Sequence, residues 1–158
     1  MKEITSIEEK LLRKAGLFKT PRRVRILEIF RERAENKNGL PKHLTAEDLY
    51  EILNEEGLSA SLGTIYRALA AFSDKHILKQ LTIRGGRAFY EWSFEREHHD
   101  HLFCTDCSTI EEFSDEVLEN LQHKVARRHG FELTGHVMVL YGSCKGCVSR
   151  REEFDKKD

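Results

Sequence analysis

Apolar positions recur at helical spacing through the first half of the chain and give way to two short β-like runs near residue 80. Residues 5–16 predict a helix with Ile7, Leu11 and Leu12 as its apolar stripe and Gly16 as its stop. Thr20-Pro21 predicts the next start, with Thr at the N-cap and Pro at the first helical position, where a missing N–H costs nothing. Val24, Leu27 and Phe30 follow at helical spacing, with Arg22, Arg23 and Arg25 outside them. Residues 35–43 read as a loop. Thr45-Ala-Glu-Asp48 resembles a capping box, opening a helix that buries Leu49, Ile52 and Leu53 and closes at Gly57. A short turn at Ser59-Ala60-Ser61 leads into a helix through Phe72. Its expected stripe is Leu62, Ile65, Leu69 and Phe72, with Thr64, Arg67, Ala68 and Ala71 opposite and Tyr66 on the shoulder.

Two helices across a short turn, the second with small residues, Arg and Tyr outward, form a helix-turn-helix pattern. Small residues let a helix sink into the major groove, and Arg offers a bidentate donor to guanine. Residues 77–83 and 87–92 then predict two strands around the tight turn Arg84-Gly85-Gly86-Arg87. A basic-tipped hairpin after a helix-turn-helix is the wing of a winged helix, and Arg84 and Arg87 are its candidate phosphate contacts.

Residues 93–97 are polar and predict the connector between a first domain, 1–92, and a second, 98–158. In the second, Thr109 to Phe113 predicts a strand. Ser114-Asp115-Glu116 caps a helix ending at Gly130, with Val117, Leu118, Leu121 and Val125 on one side. Phe131 to Tyr141 reads as β-rich, and the charged tail from Ser149 as frayed. The fold class is α+β.

Composition is that of a globular domain, 39% hydrophobic and 34% charged, with two prolines. No apolar run approaches the roughly 18 residues of a membrane span, and residues 1–5 carry no apolar export signal, so a cytoplasmic protein is expected. The net charge of −1 argues against a globally basic nucleic-acid binder, but its distribution changes that picture. Between Lys10 and Arg33 nine basic residues face only Glu28 and Glu32. Between Glu91 and Glu119 ten acidic residues face one basic residue, Arg96. Two surfaces are implied, one for an anionic partner and one for a cationic one.

The cationic partner is a metal. Cys104 and Cys107, with Cys144 and Cys147, make two C-x-x-C knuckles, each presenting two thiolates on one side of a turn, as tetrahedral zinc requires. Reduced core cysteines and labile disulfides are the alternatives. Just before the first knuckle stand His98, His99, Asp100 and His101. In extended backbone His99 and His101 point one way, and His98 and Asp100 the other, which predicts two sites. Glu91, Glu112 and Glu119 are available carboxylates, and His43 and His136 are remote imidazoles. Such ligands suit iron(II), zinc, manganese or cobalt.

The run His98-His99-Asp100-His101-x-x-Cys104-x-x-Cys107 resembles the ferric uptake regulator (Fur) family. So do Ala15-Gly16-Leu17, Ala46 to Tyr50, Thr64 to Arg67 and Tyr141 to Cys144. The resemblance implies an N-terminal winged helix and a C-terminal α/β dimerisation domain. It also implies a metal-dependent repressor that binds a palindromic A/T-rich DNA operator as a homodimer. Carried over by residue, it implies a regulatory site of His43, Glu91, His99, His101 and Glu112. A second site would use His98, Asp100, Glu119 and His136, and structural zinc the four cysteines. Tyr66 and Arg67 would read bases, with Ser61 and Thr64 near phosphates. Phe18 stands where the family often has a basic residue for minor-groove contact, and Lys19 beside it is the candidate replacement.

Peroxide sensors of the family typically place Asp where Glu112 stands, and zinc sensors usually add a cysteine to the regulatory site. Both points favour Fe2+ as the regulatory metal here, with Mn2+, Co2+ or Zn2+ able to substitute. In the mechanism this implies, one ion bonded to His43, Glu91 and the second domain fixes the angle between two tethered halves. A zinc-dependent hydrolase is the enzyme alternative, since His-x-His with carboxylates can hold a catalytic metal. It leaves the helix-turn-helix and wing unexplained, so no enzymatic activity is expected. A zinc-clipped dimerisation or metal-storage protein is a third reading.

Overall fold

A computed structural model describes residues 6–35 and 42–155, which fall into two compact units, residues 1–96 and 97–158. Most of the predicted 35–43 loop lies outside the described residues.

The first unit runs α1 (Ile7–Lys14), α2 (Pro21–Ala34), α3 (Ala46–Glu55), α4 (Leu62–Asp74), β1 (Leu78–Thr82) and β2 (Ala88–Trp92). Its helices start where side chains can satisfy free backbone N–H groups. Thr20 Oγ1 accepts from Arg23 N at 3.2 Å, and Pro21 occupies the first turn. At α3 the capping box is complete. Thr45 Oγ1 accepts from Asp48 N at 3.1 Å, and Asp48 Oδ2 accepts from Thr45 N at 2.7 Å. The stripes meet in one core of Leu12, Leu27, Phe30, Leu49, Leu53, Ile65, Leu69 and Phe72, all fully buried.

Two α4 assignments need correction. Leu62 is 38% exposed, because the first turn of the helix projects beyond the core, while Ala68 is buried on the inner face beside Leu69. An inner stripe of Ile65, Ala68, Leu69 and Phe72 leaves Thr64, Tyr66 and Arg67 outward.

The hairpin β1–β2 is antiparallel, with Lys79 opposite Glu91 and Gln80 opposite Tyr90. Its tip is closed by Gly86 N donating to Ile83 O at 3.1 Å, and Gly85 and Gly86 take the positive φ that the turn demands. Leu44 adds a short bridge to the outer edge of β2, exchanging backbone hydrogen bonds of 3.0 and 2.8 Å with Tyr90.

The second unit runs β3 (Asp100–Cys104), β4 (Ile110–Phe113), α5 (Glu116–Arg128), β5 (Val139–Gly142) and α6 (Lys145–Asp155). Its sheet has the order β4-β3-β5, with β3 antiparallel to β4 and parallel to β5. Only the last residues of the expected β-rich segment 131–141 pair. Residues 131–138 are irregular, held in part by His101 N donating to Met138 O at 3.2 Å. The tail from Ser149 is helical through Asp155, because the second knuckle turns directly into α6.

The helix α5 buries no residue: Val117, Leu121 and Val125 are 76%, 52% and 44% exposed. Phe131 and Val137 are likewise exposed, at 71% and 68%. Among the described residues no helix is long and apolar enough to cross a membrane.

Candidate metal centres and nucleic-acid face

The parallel pairing of β3 with β5 aligns Cys104 with Gly142, so the two knuckles leave the sheet side by side. In the first, Ser108 N closes the turn onto Cys104 O at 2.9 Å, with Ser108 at φ 61°. In the second, Cys147 N closes onto Cys144 O at 2.9 Å. Cys104 Sγ lies 3.9 Å from Cys147 Sγ, and Cys107 Sγ lies 3.8 Å from Cys144 Sγ. A disulfide would require about 2.05 Å. Four thiolates around one ion at about 2.3 Å have edges of about 3.8 Å, so the set fits tetrahedral zinc.

Donors already converge on these sulfurs. Cys144 N donates to Cys104 Sγ at 3.2 Å, and this N–H leads the backbone donors that draw the Cys104 thiol down to about 6. Arg150 Nη2 donates to Cys147 Sγ at 3.0 Å. Arg151 bridges Asp106 of the first knuckle to Ser143, just before the second. These arginines escaped the sequence reading because a tail taken as frayed offers no fixed geometry.

The alternation expected of the histidine run holds. On one face His98, Asp100, Glu119 of α5 and His136 converge, their ligand atoms all within 4.8 Å of one another. His98 Nε2 and His136 Nε2 are 2.8 Å apart. His136 Nε2 lies 3.2 Å from Asp100 Oδ1, and Glu119 Oε1 lies 3.4 Å from His98 and 3.5 Å from His136. Two imidazoles and two carboxylates this close together could hold a divalent ion.

On the other face the strand register sets His101 opposite Glu112, and His99 Nε2 lies 3.7 Å from Glu112 Oε1. The rings of His99 and His101 are 5.1 Å apart, centroid to centroid. His99 Nδ1 sits 3.0 Å from Glu97 O, which orients Nε2 toward the carboxylate.

The first unit carries a matching pair. Because Leu44 pairs with Tyr90 in antiparallel register, His43 falls opposite Glu91, and the His43 Nε2 to Glu91 Oε2 distance is 3.1 Å. Both side chains are buried, at 4% and 1% exposure. Glu91 is also approached by two cations, Lys79 Nζ at 3.9 Å and Arg96 Nη1 at 3.8 Å. Lys79 was not singled out from the sequence, and the hairpin register, 79 against 91, is the signal that could have found it.

The outward face of α4 has the polar chemistry expected of a groove-reading helix. Tyr66 and Arg67 are exposed, with Arg67 Nη2 donating to Thr64 Oγ1 at 3.3 Å and Tyr66 Oη to Glu47 Oε1 at 2.8 Å. Ser61 is the α4 N-cap. Arg22 Nε donates to Leu58 O and Ser59 O, pinning the start of α2 to the turn before α4. Lys19, on that start, pairs with Glu9 at 2.6 Å. Arg84 and Arg87 are exposed at the hairpin tip, with the Arg87 guanidinium 5.0 Å over the Phe89 ring.

Comparison with known proteins agrees with this architecture. The model of the ferric uptake regulator family matches residues 14–141. The ferric uptake regulation protein of Yersinia pestis is 40% identical over 144 residues, 91% of this chain and 93% of its own. Among solved structures, the ferric uptake regulator of Vibrio cholerae superposes with a TM-score of 0.74 at 38% identity, covering 85% of this chain and 98% of that one. That of Francisella tularensis, solved with iron, gives 0.76 at 31% identity, covering 84% and 96%. These are regulators, which removes the hydrolase reading and its catalytic metal. On both sequence and fold, the chain belongs to the ferric uptake regulator family.

Proposed function

We propose that the chain is a metal-responsive transcriptional repressor that binds a palindromic A/T-rich operator as a homodimer, with iron(II) as the regulatory metal. The observation that carries this reading is the split ligand set. His43 and Glu91 face each other in the DNA-reading unit. His99, His101 and Glu112 share one face of the other unit. We assign these five residues to one regulatory ion, whose bonds to both units would make their tether rigid. The ion supplies Lewis-acid attraction to imidazole and carboxylate, and everything else is the protein's own geometry. The ion can shift the equilibrium only by its preference for the rigid state, and a few kcal/mol suffices for a roughly hundredfold switch.

His98, Asp100, Glu119 and His136 are assigned to the second metal site and the four cysteines to structural zinc. DNA contacts are assigned to Tyr66 and Arg67 on bases, and to Lys19, Ser61, Thr64, Arg84 and Arg87 on the backbone or minor groove. The exposed apolar side of α5 supports pairing with a second copy, since monomers rarely leave such a surface in water. A cytoplasmic location follows from an operator as target. Iron is favoured over zinc and peroxide sensing because the chain has four cysteines, all in the knuckles, and Glu rather than Asp at position 112. The Francisella relative, solved with iron, points the same way.

An anaerobic gel shift on a palindromic A/T-rich duplex, with and without iron(II), tests the reading. Retardation that depends on iron is the expected result, and equal retardation with a chelator present contradicts it.

A further inference from the structure

The buried carboxylate of Glu91 is contested. Its Oε2 lies 3.1 Å from His43 Nε2 and 3.8 Å from Arg96 Nη1, while its Oε1 lies 3.9 Å from Lys79 Nζ. Glu91 is 1% exposed, whereas the two cationic side chains keep 23% and 29% of their surface in water. A carboxylate this deep is costly without compensating charge, and the protein brings two cations to it.

Their placement is built into the backbone. Lys79 is the cross-strand partner of Glu91 in the β1–β2 register. Arg96 is returned toward the strand by a turn after β2, closed by Arg96 N donating to Ser93 O at 3.3 Å, with Glu95 at φ 55°. A non-glycine residue in the left-handed region is uncommon, and here it reverses the chain so that Arg96 reaches back to Glu91.

We infer that Arg96, aided by Lys79, acts as an internal competitor for the regulatory metal at Glu91 and so sets the concentration at which the protein responds. The inference rests on the assignment of His43 and Glu91 to that site. Arg96 and His43 converge on the same carboxylate oxygen. His43 and that oxygen would hold the divalent ion with the Arg96 guanidinium only 3.8 Å from the same oxygen. Like charges at that range, partly shielded from water, oppose binding. The guanidinium must retreat as the ion enters, so affinity is lowered and binding is confined to higher free-metal levels. The arginine has somewhere to go, because it sits at the solvent edge while Glu91 does not.

The test uses the full-length protein with its cysteine site zinc-loaded and His98→Ala/His136→Ala in place to silence the second cluster. Manganese(II) is the probe, and its free hexaaqua signal is followed by electron paramagnetic resonance during titration. Arg96→Gln should raise manganese affinity by roughly tenfold and Lys79→Gln by a smaller factor. The gain should vanish when Glu91→Gln is added, because the contested oxygen is gone. Weakened binding in Glu91→Gln together with unchanged or lower affinity in Arg96→Gln overturns the competition, and the arginine is then an orienting group. Undiminished binding in Glu91→Gln overturns the site assignment itself. Thermal melts of each variant separate misfolding from a true affinity change. A misfolded Arg96→Gln is replaced by Arg96→Lys, which keeps the charge and should stay within about threefold of the parent. A tenfold gain in Arg96→Lys would count against charge as the cause.

Discussion

At the scale of single residues, the most informative side chains are polar groups buried with a chosen partner. Glu8 is one. It is 1% exposed in the first unit, and Arg31 Nε donates to its Oε1 at 2.5 Å. Burial alone would raise its pKa, but the Arg31 hydrogen bond and those of the backbone and Ser6 outweigh it and hold the carboxyl below its usual value of 4.5. A folded-state pKa depressed in this way stabilises the fold above the unfolded value and loses that contribution as pH falls through the folded one. Glu8→Gln should therefore lower stability at pH 7 by about 1–3 kcal/mol. The deficit should shrink as pH falls below 4.5. Urea melts across that range check it, and a deficit independent of pH would show that packing rather than charge is responsible. Arg67 belongs to the same scale. Arg67→Ala should weaken operator binding roughly 10- to 100-fold while random duplex loses much less, by competition anisotropy. Equal losses on both would place Arg67 on phosphates.

At the scale of elements, helix and hairpin starts were legible because they are local. Thr20-Pro21 and Thr45 to Asp48 carry their own capping chemistry, and Arg84 to Arg87 their own turn. The two-way split of His98 to His101 was legible for the same reason, since alternation needs nothing beyond extended backbone. What stayed hidden depends on distant partners. Residues 131–138 have strand-like composition but are irregular, since only 139–142 finds a partner in β3. Ala68 is the exception: three residues after Ile65 and four before Phe72 it lies on the ordinary inner stripe, and its small side chain concealed that. The helix α6 was missed because its footing is the second knuckle, whose position depends on the distant parallel pairing of Cys104 with Gly142. The ligand set as a whole owed more to family resemblance than to spacing: His43 and His136 carry no local signal.

The knuckles make a prediction at this scale. Cys104→Ser should lose zinc and lower the melting temperature of the second unit, by metal analysis and calorimetry. A removed structural zinc costs folding energy outright. Full zinc content with an unchanged melt would contradict the structural role. Likewise Leu121→Glu, on the exposed stripe of α5, should shift the protein toward monomer in analytical ultracentrifugation. An unchanged dimer would move the pairing surface elsewhere in the unit.

At the scale of the whole molecule, the proposed function divides labour between a unit that reads DNA and a unit that pairs, with metal ligands assigned in both. Each unit has its own core or sheet and its own ligands, and neither holds all five residues assigned to the regulatory ion. Spacing of two half-sites on one face of DNA, about 34 Å apart, penalises a loose tether between such units. Rigidity supplied by an ion is thus convertible into affinity. The cations beside Glu91 set how much metal that conversion needs. The most direct measurement is an anaerobic iron(II) titration of operator binding by fluorescence anisotropy, comparing His43→Ala with His99→Ala/His101→Ala. Both variants should stay folded and dimeric, and both should lose the iron-dependent rise. A His43→Ala protein that keeps the full rise would contradict a shared ion.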